Sequence, residues 1–228
     1  MRVHPDTVQV LRHFSEIYKS LTIPAGDVIT TITPQKTIVA RAKTPTVFER
    51  QFTIYDLKRF LSVASLLGDD ADYEFHEGSV VIRNGGQLAT YTYADDAVVK
   101  TKPPAGDIKM PSLDAEFKMS QADLKSLRRA AAVLGLPQVA VIGLDGAVTL
   151  RAIDTANPLA DTYSIQVGET NRAFTAVLKL ENIILYPDDY HVAVTKRGMA
   201  RFTGPTVTTW IALEHESKFE DATEEAAA

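Results

Sequence analysis

The sequence contains no cysteine among its 228 residues, which excludes disulfide bonds and thiolate metal ligands. It has no apolar run of about 18 residues, the length needed to cross a membrane, and no secretory signal pattern. Gly-rich phosphate-binding loops and the G-x-S-x-G motif are also missing. The five histidines are scattered, never spaced so that two could share a metal ion. We therefore expect no catalytic site, no metal, no cofactor and no contact with a membrane.

The acidic charge of the chain lies mostly at its C-terminus. The net charge is −5 at pH 7, and residues 214–228 carry six acidic side chains and one basic one. The rest of the chain is therefore neutral overall, and it can be basic on one surface and acidic on another. Net charge does not exclude a nucleic-acid partner, and we expect residues 214–228 to form a solvated, frayed acidic tail.

Two stretches about half a chain length apart resemble each other. Residues 52–70 read FTIYDLKRFLSVASLLGDD, and residues 174–190 read FTAVLKLENIILYPDDY. The predicted elements around them repeat as well, because each half reads as a helix, three strands, a short helix and three strands. The sequence thus predicts an α+β fold of two similar tandem domains, residues 1–94 and 116–213, joined by a proline-containing linker at 95–115.

Local signals define the four predicted helices. The first covers residues 6–20 with Asp6 as its N-cap, the second begins at Asp56, the third runs from Ser120 to Gly135, and the fourth follows the strand that starts at Phe174. The apolar stripes of the first three contain Val10, Phe14, Ile17 and Leu21; Leu57, Phe60, Leu61 and Ala64; and Leu124, Leu127, Ala131 and Leu134. Tight turns are predicted at Glu77-Gly78, Asn84-Gly85-Gly86, Asp145-Gly146 and Arg197-Gly198.

Paired aspartates occur at 69–70, 95–96 and 188–189. Such pairs could serve acid/base or metal chemistry, so a hydrolase that uses one of them is one alternative. Two of the pairs stand at the same helix-to-strand junction of the repeat, where turns favour aspartate. The structural interpretation is therefore preferred.

Basic residues lie off the apolar stripes of the predicted helices. A solvated surface would explain any one of them, whereas all together could contact a single polyanion. No aromatic residues are interleaved, which favours contacts to phosphate over base readout or stacking. The candidates are Arg12, Lys19, Lys58, Arg59, Lys125, Arg128, Arg129 and Lys179.

The order of elements, the length and several stretches resemble the sliding clamps of T-even-type bacteriophages, the processivity factors of DNA polymerase. The most similar stretch is IYDLKRFLSVASLLGDDA at 54–71. Weaker similarity is found in AVVKTKPP (97–104), ADLKSLRRAAAVLGL (122–136) and LYPDDYHVAV (185–194). The resemblance covers the chain except the end of the acidic tail, and it rests on the duplication and collinear similarity rather than on one motif.

This resemblance implies a head-to-tail homotrimer whose six domains form a ring around duplex DNA, with helices lining the hole and antiparallel sheets outside. Such a ring holds DNA by topology, through sequence-independent contacts, and tethers the DNA polymerase. A clamp-loader ATPase and late-transcription factors are further implied partners, and the cytoplasm of the infected bacterial host is the implied location. A β-rich structural or interaction protein without DNA binding, built from the same duplicated domain, is the alternative.

The resemblance also implies two protein-contact regions. Subunits would meet at the strands around 90–93 and 162–167, through Tyr91, Tyr93, Tyr163 and Ile165. Partner peptides would bind an apolar pocket near the linker formed by Val98, Val99, Tyr186, Pro187, Trp210 and Ile211, although Trp210 and Ile211 could equally be ordinary core residues.

Two acidic residues depart from a uniformly basic lining. Glu16 stands among the basic positions of the first helix, and Glu181 stands beside Lys179. We therefore expect the grip on DNA to come mostly from the second and third helices.

Overall fold

The computed structural model describes residues 1–104, 106, 108–110 and 113–220. The chain divides into two compact units, Met1–Gly106 and Asp107–Ala228. Four positions of the predicted linker and the last eight residues of the predicted tail lie outside the described residues. Among the described helices, none combines the length and the apolar character that crossing a bilayer requires.

The first unit contains two helices and seven strands. In chain order these are α1 (Pro5–Ile17), β1 (Leu21–Ile23), β2 (Gly26–Ile32), β3 (Ile38–Phe48), β4 (Phe52–Ile54), α2 (Leu57–Ser65), β5 (Asp72–Phe75), β6 (Ser79–Asn84) and β7 (Gln87–Thr92). Strand β1 pairs with β4, β2 pairs with β3, and β5, β6 and β7 form a meander, all antiparallel. A 3₁₀ turn follows at Asp96–Val98.

The described residues of the second unit form one α-helix and nine strands. They are β8 (Ala115–Met119), α3 (Gln121–Leu134), β9 (Gln138–Leu144), β10 (Ala147–Ile153), β11 (Tyr163–Glu169), β12 (Phe174–Lys179), β13 (Tyr190–Thr195), β14 (Met199–Thr203), β15 (Val207–Ala212) and β16 (Lys218–Phe219). One antiparallel sheet has the order β11-β10-β9-β12-β16. Strands β8, β13, β14 and β15 pair in that order.

The predicted duplication is visible in the pairing scheme of each unit. A helix is followed by four strands, of which the first pairs with the fourth and the second with the third. A three-stranded meander completes each unit. The α+β fold class is confirmed, but the first run has four strands rather than the three predicted.

Helix α1 is shorter than predicted, and a different residue caps it. The N-cap is His4 rather than the predicted Asp6. Nδ1 of the His4 side chain accepts a hydrogen bond from the backbone N–H of Asp6 at 3.2 Å. The helix ends at Ile17 because Tyr18 is extended, so Lys19 lies beyond the helix and Leu21 starts β1. The predicted apolar residues are nevertheless buried.

The second helix matches its sequence signals. The carboxylate of Asp56 accepts a hydrogen bond from the backbone N–H of Arg59 at 2.9 Å, which is an N-cap. All four residues of its predicted apolar stripe are buried: Leu57, Phe60, Leu61 and Ala64.

The ends of α3 lie where the sequence predicts, but one residue of its predicted apolar stripe is exposed. Ser120 and Asp123 form a reciprocal capping box, and Gly135 ends the helix with a φ of 68°. Leu134 is 38% exposed, so its predicted place in the core is wrong. The left-handed turn at Gly135 redirects the chain, and Leu136 enters the core instead.

The predicted fourth helix is absent from the part of the chain that the structure describes. Strand β12 extends through Lys179, and only a 3₁₀ turn at Leu180–Asn182 follows. Lys179 makes no side-chain cap hydrogen bond, whereas Asp56 caps the corresponding start of α2. Without a cap the second copy of the repeat keeps the strand but loses the helix.

The acidic tail begins later than predicted. The backbone N–H of Glu214 donates to the carbonyl of Val177 at 2.8 Å. The ring of Phe219 stacks on that of Phe174, with centroids 5.7 Å apart. Residues 214–220 therefore belong to the folded second unit, and the expectation that they are frayed is wrong.

Close packing around Phe174 depends on a glycine in the neighbouring strand. A Cβ added to Gly143 would lie 2.3 Å from Cε1 of Phe174 and 2.6 Å from the carbonyl oxygen of Arg172. The contact with Arg172 is to backbone, which cannot swing aside as the end of a flexible side chain can. A side chain at position 143 would therefore disturb the joint between β9, β12 and β16.

We predict that Gly143→Ala lowers the free energy of unfolding by about 1–3 kcal/mol, the usual cost of overpacking. Gly78→Ala is the matched control, because a Cβ there meets no atom within 4 Å, and it should change stability by less than about 0.5 kcal/mol. Denaturant unfolding measures both. Equal stability of the two variants would contradict the packing argument.

Candidate nucleic-acid interface

Two helices of the first unit present basic side chains and are joined by an ion pair. Arg12 on α1 and Arg59 on α2 are exposed. The Nζ atom of Lys58 on α2 lies 3.0 Å from the carboxylate of Glu16 on α1. The predicted candidate Lys58 is therefore beside a negative charge, not free.

Lys19 lies in the segment between α1 and β1 and contacts an aromatic residue. Its Nζ donates to the hydroxyl of Tyr55 at 3.2 Å and lies 4.7 Å from the ring centroid. The hydrogen bond to Tyr55 is the main cause that raises the pKa of Lys19. Sequence reasoning missed Tyr55, although its position immediately before the cap of α2 placed it at the start of a predicted basic helix.

Helix α3 carries three exposed basic residues in two different situations. Lys125 and Arg129 form no ion pair with any residue that the structure describes. The guanidinium of Arg128 donates to the backbone carbonyl of Ile183 at 2.7 Å. Arg128 thus links α3 to the segment that follows β12 through this hydrogen bond, and its exposed side chain also contributes positive charge to the surface.

A groove in the second unit brings two predicted basic residues together. Its volume is about 850 Å³, and it is lined by Arg128, Pro137, Gln138, Asp154, Thr155, Ala156, Lys179, Leu180, Glu181 and Glu216. Lys179 lies at the end of a strand, yet it shares this groove with Arg128 of α3. Its Nζ is 3.5 Å from the carboxylate of Glu214, so its ion-pair partner is not Glu181, two residues along the chain.

The paired aspartates hold turns and loops. Their carboxylates accept hydrogen bonds from Gln51, Ala97, Gln121 and Thr206. Asp70, in the remaining pair, lies 3.8 Å from Arg2 in a turn. This arrangement agrees with the structural interpretation of the pairs.

The two strands predicted to form subunit contacts lie at sheet edges. Within the described residues, β7 pairs only with β6 and β11 only with β10. Tyr91 on β7 donates its hydroxyl to the carbonyl of Asp56 at 3.3 Å. Tyr93 follows β7 and stacks on Phe52, and burial raises the pKa of Tyr93 to about 12. On β11, Tyr163 is exposed and Ile165 packs against the core.

The residues predicted for a peptide pocket differ in accessibility. Val98 in the first unit is 40% exposed, while its neighbour Val99 is buried. In the second unit Tyr186 and Pro187 are accessible, and their backbone carbonyls accept hydrogen bonds from Tyr190 and Gln121. Trp210 and Ile211 are buried, and Ile211 belongs to the core of that unit.

Comparison with known proteins identifies the family. The family model "gp45 sliding clamp, C terminal" matches residues 116–215. The sliding clamp of Vibrio phage KVP40 is 33% identical over 222 residues, which cover 94% of this chain and 99% of that protein. This chain belongs to the sliding clamp family of T4-like phages. The sliding clamp of Enterobacteria phage T4 is 26% identical, covering 95% of this chain and 98% of that clamp.

Solved structures of other clamps share the fold. A. fulgidus PCNA, solved with the C-terminal region of FEN-1, has a TM-score of 0.67 at 12% identity, covering 92% of this chain and 96% of that one. The Helicobacter pylori beta clamp, solved with a DNA ligase peptide, has a TM-score of 0.69 at 10% identity, covering 92% and 64%. At these identities the likeness shows the clamp fold alone.

Family membership decides between the alternatives. As a member, this clamp is a DNA processivity factor and a non-enzymatic scaffold. The resemblance found in the sequence is confirmed. The alternatives of a hydrolase and of a duplicated structural protein without DNA binding are wrong.

Proposed function

We propose that this clamp acts as a head-to-tail homotrimer, a ring of six units around duplex DNA, with its helices lining the hole and its sheets outside. The repeated pairing scheme carries the proposal, because closing a ring of heterologous contacts requires similar wedges repeated around an axis. The edge strands β7 and β11 support it further. An unpaired strand edge is a ready surface for another chain, and pairing between neighbouring subunits would cover both edges.

The proposed DNA contacts are the eight basic residues Arg12, Lys19, Lys58, Arg59, Lys125, Arg128, Arg129 and Lys179. Their exposed charges suit phosphate, which carries no sequence information and therefore permits movement along the duplex. Arg12, Arg59, Lys125 and Arg129 would contribute most, because they are exposed and have no ion pair among the described residues.

The proposed partners are the DNA polymerase, a clamp-loader ATPase and late-transcription factors, all in the cytoplasm of the infected bacterial host. PCNA of A. fulgidus binds the C-terminal region of FEN-1, and the Helicobacter pylori beta clamp binds a DNA ligase peptide. By analogy, partner peptides would dock at exposed Val98 in the first unit and at Tyr186 and Pro187 in the second. Val99, Trp210 and Ile211 are buried, so any contribution they make would be through packing within their own unit.

We predict that the clamp, once placed on nicked circular DNA by its loader and ATP, stays bound through gel filtration. Linearising the DNA should release it, because a ring that holds DNA by topology slides off a free end. Fluorescently labelled clamp measures both states. Equal retention on circular and linear DNA would show that binding is not topological.

Replacing Lys125 and Arg129 by alanine should weaken binding to a fluorescent duplex and reduce the slope of log K against log salt by about 1–2. The control is Lys43→Ala with Lys118→Ala, which removes the same charge from strands β3 and β8. An unchanged slope in the α3 variant, or an equal change in the control, would mean that α3 does not contact DNA.

Tyr163→Asp should disrupt the trimer, because it places a charge on the edge strand β11 without entering the core. Light scattering should give about three times 25.0 kDa for the natural protein and a smaller mass for the variant. Tyr55→Asp is the control, since Tyr55 is also exposed but lies outside the proposed contact. A trimeric Tyr163→Asp variant would exclude β11 as the subunit contact.

A further inference from the structure

One candidate DNA-contacting lysine in each unit is neutralised by a glutamate from a distant segment. Lys58 lies 3.0 Å from Glu16, and Lys179 lies 3.5 Å from Glu214. Each lysine is the first basic residue after the Phe-Thr that begins its copy of the duplicated stretch, although Lys58 lies on α2 and Lys179 at the end of β12. A lysine–glutamate ion pair that involves a candidate DNA contact therefore occurs once in each unit, built from different elements.

The first pair joins two helices at the surface. Both carboxylate oxygens of Glu16 lie 3.0 Å from Nζ of Lys58, and both side chains are more than half exposed. An exposed pair of this kind contributes little to folding, typically about 0.2–1 kcal/mol. Its main effect is on the local field, since a phosphate approaching Lys58 also meets the charge of Glu16.

The second pair has a more firmly held acceptor. The Glu214 side chain is only 18% exposed, and its backbone N–H is bonded to Val177 on the neighbouring strand β12. Lys179 shares its groove with Arg128, whose guanidinium is itself partly engaged by the carbonyl of Ile183. The charge that this part of the unit offers to a phosphate is thus reduced at two positions.

The remaining candidates contrast with these pairs. Arg12, Arg59, Lys125 and Arg129 have no ion pair with any residue in the described ranges. A cation already paired with a carboxylate releases fewer counterions from DNA, because the Lys–Glu pair must first separate. Among the candidate DNA contacts, each unit therefore contains available cations and one lysine that is paired with a glutamate.

We propose that Glu16 and Glu214 limit the grip of this clamp on DNA, acting as charge-compensating residues that keep the phosphate contacts weak enough for sliding. The proposal rests on the proposed DNA contacts of Lys58 and Lys179. Each glutamate holds its lysine in place while cancelling part of the lysine's attraction for phosphate. Removing the negative charge should therefore strengthen DNA binding, the opposite of the usual effect of a mutation at a binding surface.

The test uses Glu16→Gln, Glu214→Gln and the double variant in the full-length protein. We expect each single variant to bind a fluorescent duplex about 1.5- to 5-fold more tightly, the factor that corresponds to about 0.2–1 kcal/mol for an exposed pair. The slope of log K against log salt should steepen by up to about 0.9 for each additional phosphate contact. Diffusion of single labelled clamps along stretched DNA should become slower.

Glu74→Gln is the matched control, because Glu74 pairs with Arg83 at 3.3 Å on strands β5 and β6. Like Glu16→Gln, it removes one negative charge and leaves one cation, Arg83, without its ion pair. Arg83 lies on a strand outside the proposed DNA contacts. If it raises DNA affinity as much as Glu16→Gln and Glu214→Gln do, the effect is one of total charge and the proposal is wrong.

A double-mutant cycle tests the mechanism directly. In a Lys58→Ala background, Glu16→Gln should no longer tighten binding beyond the control, because no lysine remains to be released. A gain that persists without Lys58 would overturn the proposal. Retention of the natural protein on circular DNA is measured alongside, so failure of the clamp function itself is distinguished from failure of this inference. Thermal unfolding shows whether Glu214→Gln has a folding defect. If it has, the DNA affinity of Glu16→Gln alone decides whether the proposal holds.

Discussion

Antiparallel pairing between the first and last strands of each four-strand run is the constraint on which the rest of each unit depends. It joins β1 to β4 and β9 to β12. The pairing brings the chain before the first strand beside the chain after the last one. In the first unit the N–H of Leu57 donates to the carbonyl of Lys19 at 2.7 Å; in the second, Leu180 donates to Pro137 at 2.9 Å. Basic residues from separate segments are thereby gathered at one end of each run.

Weak DNA binding is what we propose for this arrangement of charges. A processivity factor must remain on DNA while moving along it, and tight phosphate contacts would oppose movement. In the proposed DNA contacts, exposed cations such as Lys125 would supply attraction, and the pairing of Lys58 with Glu16 would moderate it. In the proposed ring the closed topology prevents dissociation, so the contacts themselves need contribute little affinity.

Much of the fold could be predicted because its signals are local. The Asp56 cap, the Ser120 capping box and the Asp145-Gly146 turn, with positive φ at both residues, depend only on neighbouring residues. The fourth helix could not be predicted correctly, because its apolar residues satisfy a helical pattern as well as the observed strand and 3₁₀ turn. The missing cap at Lys179 and the hydrogen bond from Arg128 on α3 to the carbonyl of Ile183 both favour the observed form.

The sequence by itself determined the duplication, the α+β class, the turns and the set of available basic residues, since each is encoded in composition, periodicity or short-range hydrogen bonding. Only the tertiary structure decided which of those cations are compensated. Glu181 is only two residues from Lys179 in the chain, yet Glu214 is its partner, because pairing of β12 with β16 returns the C-terminal segment to that strand. Charge at a binding surface depends on distances in space, and residues far apart in the chain set those distances.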